Sequence, residues 1–301
     1  MSLDTVIAHM KSIADLSWSS GNHPMHKRAL LDLYFAASPE TLNLVPSTTI
    51  KPVLVGDLPC EWILPATCQT ERRLLYVHGG SWMAGSSSSH RALISRIAEA
   101  SQSAVLALNY RLAPEFPFPN GLEDVIHGFQ WLIKHGPDSE NLAERCYIAG
   151  DSAGGNLALA SVLALKEQQH KLPDACVLLS PAIHLNYQRK NLTDNNDPIL
   201  SLKALPYVVA NYLQEQATLN NPLVSPVFGD LNELPPTLLQ VGDREILLQD
   251  AQEFIDAAQQ QGSPVALSVF ADMPHVFQGF APILPEANQA IAEIGEFLRQ
   301  N

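Results

Sequence analysis

The sequence predicts an α/β fold, a mostly parallel sheet with helices on both faces. Three observations lead there. From about residue 50, short apolar runs alternate with helical patterns, as βα units of a parallel sheet do. Between one such run and one such helix stands Gly150-Asp151-Ser152-Ala153-Gly154, a sharp-turn sequence. The chain has 301 residues, 46% of them hydrophobic, which suits one large domain with a substantial core.

Residues 1–45 read as helices ahead of the first strand. Candidate strands follow at Leu74–His78, Ala104–Tyr110, Cys146–Gly150, Ala175–Ser180, Thr237–Gly242 and Val265–Phe270. Helical segments fall near 90–101, 121–135, 153–169, 249–261 and 286–299. The last carries Ile291, Ile294 and Leu298 at helical spacing. Residues 182–220 break the alternation as a polar, Asn-rich insertion with a helical piece around Leu202–Leu213. This insertion and the N-terminal helices can fold over the carboxyl ends of the strands, where ligands bind in open α/β sheets. The expectation is one domain over 1–301 with a small helical cap from about 1–45 and 182–220. Leu3, Ile7, Trp18, Leu202, Leu205, Tyr207 and Val208 are candidate apolar cap residues, which ordinary helix packing explains equally well.

The net charge of −13 argues against nucleic acid or an anionic membrane as partner. No run approaches the roughly 18 apolar residues of a membrane span. Met1–Met10 lacks a basic start followed by an apolar stretch, so no signal peptide is visible. Cys60, Cys68, Cys146 and Cys176 show no CxxC spacing, and the last two read as buried thiols. A reduced, cytoplasmic protein is expected. His23 and His26 could share a helix face as metal ligands, but Pro24 lies between them and no carboxylate cluster is near. No phosphate-binding G-x-x-x-x-G-K-[ST] is present. Neither metal nor cofactor is expected.

Strand, G-x-S-x-G, helix is the layout of a nucleophile elbow. It makes Ser152 a candidate nucleophile at a helix N-terminus, with the Ala153 amide beside it as an oxyanion donor. Acyl transfer also needs a base, an acid that orients the base, and further oxyanion donors. His78-Gly79-Gly80-Ser81-Trp82 follows the first apolar strand, and Gly79, Gly80 and Ser81 are candidate donors through their N–H groups. His78 reads as structural. His275 lies after the last strand, in Ala271-Asp272-Met273-Pro274-His275-Val276-Phe277, and is the only histidine after residue 184. For the acid, the turn after Thr237–Val241 offers Asp243 and Glu245, while Asp250 falls in the helix beyond. Chemistry alone does not choose between Asp243 and Glu245.

These residues resemble the hormone-sensitive-lipase-like esterases, the bacterial family IV of the α/β-hydrolase fold. The matching segments are His78–Trp82, Tyr110-Arg111-Leu112-Ala113-Pro114-Glu115-Phe116-Pro117-Phe118-Pro119, Gly150-Asp151-Ser152-Ala153-Gly154-Gly155-Asn156 and Pro274-His275-Val276-Phe277. They occur in the family's order over roughly residues 70–300. The family pattern of an acid, one residue, then leucine fits Glu245-Ile246-Leu247, which lies 30 residues before His275. The resemblance therefore favours Glu245 over Asp243. Glutamate departs from the aspartate of most members, and Ser81 departs from the third glycine of many. Tyr110–Pro119 reads as a structural brace, with Glu123 and Asp124 as partners for Arg111. The resemblance implies a serine carboxylesterase acting on short- to medium-chain acyl esters, with a small-molecule ester as partner and a homodimer as one assembly. An amidase, lactonase or deacetylase would use the same triad. A non-catalytic ligand-binding relative would lack the histidine that this chain has.

Overall fold

A computed structural model describes residues 1–19 and 24–301. The chain opens with α1 (Leu3–Ser19), α2 (Pro24–Leu31) and the short α3 (Pro39–Leu42). It then makes a hairpin of β1 (Thr49–Val55) and β2 (Leu58–Leu64). The rest alternates: β3 (Gln69–Val77), α4 (Ser87–Ser101), β4 (Ser103–Leu108), α5 (Asn120–Lys134), β5 (Arg145–Asp151), α6 (Ala153–Glu167), β6 (Ala175–Leu179) and α7 (Leu205–Leu213). Next come β7 (Thr237–Gly242), α8 (Leu248–Gln260), β8 (Val265–Phe270) and α9 (Pro285–Gln300).

The eight strands form one sheet in the order β1-β2-β4-β3-β5-β6-β7-β8. β2 runs antiparallel to β1 and β4, and every other pairing is parallel. The six strands expected from sequence are β3 to β8. The hairpin β1–β2 was not expected. Its Gly56-Asp57 turn, with Gly56 at φ 59°, is a hairpin signal. Pro52 and the exposed side chains around it blur the alternation, and proline is tolerated there because β1 is an edge strand.

β3 starts at Gln69, ahead of the apolar run, because its polar half also pairs in the sheet. There Arg73 is fully buried. Its guanidinium donates to the carbonyls of Thr70, Leu132 and Asn141 and to Asn141 Oδ1, so no donor is stranded.

Side chains alternate across the sheet. Leu75, Val77 and Ile148 join Phe129 of α5, Leu157 of α6 and Phe254 of α8 in one core. Leu74, Tyr76 and Tyr147 join Ile94 and Ile97 of α4, Ile294 of α9 and Met10 of α1 in the other. Both faces being covered explains why β4, β6 and β7 are buried at every residue.

The parallel register aligns the carboxyl ends of the central strands: Val77 pairs with Gly150, Gly150 with Leu178, Leu179 with Gln240 and Gly242 with Phe270. The loops carrying His78, Ser152, Ser180, Glu245 and His275 therefore leave from one edge of the sheet. α6 can start one residue after β5 only because Gly154 has no side chain. A Cβ there would lie 2.0 Å from the Val77 carbonyl oxygen and 2.5 Å from that of His78.

Gly154→Ala should therefore cost about 3 kcal/mol or more in urea unfolding. Gly262→Ala meets open space and only a φ of 84°, so it should cost about 1–2 kcal/mol. Equal losses would contradict this account of the elbow.

Candidate active site

Ser152 sits at φ 53°, ψ −119° between β5 and α6. For a residue with a side chain this is a strained conformation, costing on the order of 1–3 kcal/mol. Backbone bonds hold it: Ser152 N–H to Leu179 O (2.8 Å) and Ala182 N–H to Ser152 O (3.2 Å). The strain turns the hydroxyl out of the sheet edge toward His275.

His275 comes from the turn after β8. Its Nε2 lies 2.9 Å from Ser152 Oγ and its Nδ1 lies 2.7 Å from Glu245 Oε2. A carboxylate only accepts, so Nδ1 carries the proton and Nε2 accepts from the serine hydroxyl. Glu245 is fully buried. Its other oxygen accepts from Ser180 Oγ (2.7 Å) and Gly242 N–H (2.6 Å). Asp243 points elsewhere and accepts the Asp272 N–H at 2.7 Å, bracing the His275 turn from outside. Of the two acids weighed from sequence, Glu245 meets the imidazole.

Burial pulls the His275 pKa down. The hydrogen bond and charge of Glu245, with Asp197 and Asp151 behind it, outweigh burial, and the net shift is upward from 6.5.

One expected oxyanion donor needs correction. The Gly79 N–H donates to Asp151 Oδ1 at 3.0 Å and is spent. Gly80, Ser81 and Ala153 donate to no atom among the described residues, and all three lie beside Ser152, with Gly80 and Ser81 in the wall of its cavity. Gly80 (φ 123°), Ser81 (φ 57°) and Trp82 (φ 59°) take left-handed or related conformations, and the turn thus exposes consecutive amides.

Asp151 anchors this turn. It also accepts from the Tyr76 hydroxyl (2.9 Å) and lies 3.4 Å from His90 Nε2. Burial opposes its charge, but His90, Tyr76 and His78 outweigh burial and hold its pKa below the usual carboxylate value. His78 is structural: Nδ1 bonds the Gly79 carbonyl at 2.8 Å and the ring stacks on Tyr110 at 4.4 Å. Burial and neighbouring His90 lower its pKa to about 4, so it is neutral near pH 7.

In the Tyr110–Pro119 brace, Arg111 has the two partners expected from sequence, and Glu115 reaches the N-terminal helices. Arg111 binds Asp124 (2.7 Å) and Glu123 (3.5 Å), while Glu115 binds Arg28 of α2 (2.7 Å).

Beside Ser152 lies a cavity of about 150 Å³ with mainly apolar walls. Ile13, Leu30 and Leu31 come from the N-terminal helices, and Ile199, Leu200 and Val208 from the insertion. Of the six apolar residues singled out in the sequence whose side chains are described, only Val208 lines this cavity. Leu205 packs into the core and Tyr207 faces solvent. The side chain of Trp18 lies outside the described residues.

His23 also lies outside the described residues, and His26 stands exposed on α2. His184, Asp250 and Glu253 bring three donor atoms within 4.8 Å of one another. Arg189 is ion-paired to both of those carboxylates and supplies the positive charge there.

A family model described as the α/β hydrolase fold matches residues 74–279. An acetyl-hydrolase of Streptomyces hygroscopicus is 38% identical over 293 residues, 96% of this chain and 95% of its own length. A crystal structure of an esterase from the bacterial hormone-sensitive lipase family superposes with a TM-score of 0.88 at 37% identity, covering 100% of this chain and 99% of that one. The chain belongs to this family. A mutant of the esterase E40 gives a TM-score of 0.91 at 39% identity, covering 99% of this chain and 98% of that chain. Among the described residues of this family member, no helix is long and apolar enough to cross a membrane.

Protonated His275 cannot take a proton from Ser152, so ester hydrolysis should fall as pH drops through its pKa. Because that pKa is raised, the acid-side inflection of kcat/KM should lie above 6.5. An inflection at or below that value would contradict the upward shift.

Proposed function

We propose that the protein hydrolyses short- to medium-chain acyl esters through Ser152, His275 and Glu245. It is a carboxylic ester hydrolase of the family named above. The observation that carries the finer reading is the unbroken line from Ser152 Oγ to His275 to Glu245, opening on an apolar cavity.

In this reading Ser152 Oγ attacks the ester carbonyl while His275 Nε2 takes its proton. Glu245 stabilises the imidazolium and keeps Nδ1 protonated. The carbonyl oxygen becomes an oxyanion held by the N–H groups of Ala153, Gly80 and Ser81. His275 then gives its proton to the alkoxide, the alcohol leaves and Ser152 stays acylated. A water molecule, deprotonated by His275, attacks the acyl-enzyme and releases the carboxylic acid.

The cavity supports the acyl-length assignment. An apolar cavity of about 150 Å³ takes a benzene-sized group, the bulk of a short acyl chain. The name of the Streptomyces relative, an acetyl-hydrolase, agrees with that size. The N-terminal helices and the insertion act as the cap over this pocket, within one domain.

The test is a series of p-nitrophenyl esters from acetate to palmitate, assayed on the alkaline side of the His275 inflection. Hydrolysis should peak at short chains. Ser152→Ala should lose about 10⁶-fold in kcat. Glu245→Gln should lose roughly 10²- to 10⁴-fold, and Asp243→Asn should stay within a few-fold. Rapid turnover of anilides or lactones with no ester turnover would replace this reading by an amidase or lactonase on the same triad.

A further inference from the structure

The acid turn is held from the insertion, by two residues that no sequence motif marked. Asn195 and Asn196 take left-handed φ values of 47° and 53°. This double turn brings Asn195 and Asp197 against the backbone next to Glu245. Asn195 Nδ2 donates to the Glu245 carbonyl at 2.8 Å. Asp197 Oδ2 accepts the Ile246 N–H at 2.9 Å. That carbonyl and that N–H belong to one peptide unit, and a peptide unit is planar. Gripping its two ends fixes the plane, and with it the ψ of Glu245 and the direction in which its side chain leaves.

The other oxygen of Asp197 is bonded to the backbone of the pocket wall. Oδ1 accepts the N–H groups of Ile199 (2.8 Å) and Leu200 (2.9 Å), and both residues line the cavity beside Ser152. One carboxylate thus joins the cavity wall on one side to the acid's own backbone on the other. A plain loop anchor would not need to bond these two particular places.

We propose that Asn195 and Asp197 are positioning residues that lock the Glu245–Ile246 peptide plane and couple the Ile199–Leu200 wall to the aim of Glu245 at His275. This rests on the reading of Glu245 as the triad acid. Strain on the wall from an oversized acyl group reaches Glu245 through Asp197, so a poor fit lowers kcat as well as raising KM.

Asp197 also contributes charge. The groups facing His275 are Glu245 from the turn after β7, Asp197 from the insertion and Asp151 from the end of β5. The Tyr34 hydroxyl, from the N-terminal segment, donates to the His275 carbonyl at 3.2 Å. The negative charge of Asp197 favours the imidazolium. Removing it lowers the pKa of His275 and moves the acid limb of activity to lower pH.

The experiment is steady-state kinetics of the full chain on p-nitrophenyl butyrate across pH, for wild type, D197N, N195A and E245Q, with thermal melts of each. D197N keeps an oxygen for the Ile199 and Leu200 amides but turns an NH₂ toward the Ile246 N–H. It should lower kcat about 10- to 100-fold, leave KM within about threefold, and shift the acid limb downward. N195A carries no charge change. It should lower kcat with the acid limb unmoved, and it carries the test if D197N does not fold. Wild-type kcat in a folded N195A, or a D197N defect confined to KM with the limb unmoved, overturns the coupling. A wild type without esterase activity, or a fully active E245Q, overturns the triad reading and the coupling with it.

Discussion

His275 has to present two nitrogens to two partners at once, and the rest of the molecule is arranged around that demand. Its Nδ1 needs a carboxylate and its Nε2 a hydroxyl, with the ring fixed between them. The three side chains leave from the ends of β5, β7 and β8, and only a parallel register brings those ends to one edge. The line is also buried. A buried carboxylate is costly unless it is well hydrogen-bonded. Glu245 has a partner on each oxygen, Ser180 and Gly242 on one and His275 on the other, and Ser180 Oγ in turn accepts the Val276 N–H at 3.3 Å. The Glu245 and His275 loops are therefore pinned through one serine as well as through each other.

A second polar cluster supports the His78–Trp82 turn. Asp151 stands inside the elbow motif, and its partners are Tyr76, Gly79 and His90. It takes the Gly79 amide out of play and so decides which amides of the turn stay free. Neutral His78 stacks on Tyr110 behind it. The bond to a buried aspartate pins the start of this turn, and the next two residues take positive φ.

Much of this was legible in the chain, for local reasons. β4, β6, β7 and the carboxyl half of β3 are buried, mainly apolar runs because helices cover both faces of the sheet. The elbow is read from the glycines that its steric contacts require. The choice of Glu245 came from register against a family pattern, since two carboxylates in one turn are chemically alike until their directions are known. What escaped depends on long-range contacts. The Gly79 amide is filled by a residue 72 positions away, and Asn195 reaches the acid turn across 50. The cavity walls escaped because helical periodicity tells which residues share a face, but not which face covers the strand ends. Ile13 and Leu30 do so, whereas Leu205 is turned into the core. The β1–β2 hairpin was hidden by Pro52, which disguises an edge strand as a loop.

The central claim is that Ser152 is a nucleophile activated by His275. The most direct measurement is covalent labelling with a fluorophosphonate, mapped by peptide mass spectrometry and timed across pH. The account predicts a single adduct on the Ser152 peptide, forming faster as His275 loses its proton and nearly abolished in a folded His275→Ala variant. Folded wild-type protein that takes no label, or that takes it on another residue, would contradict it.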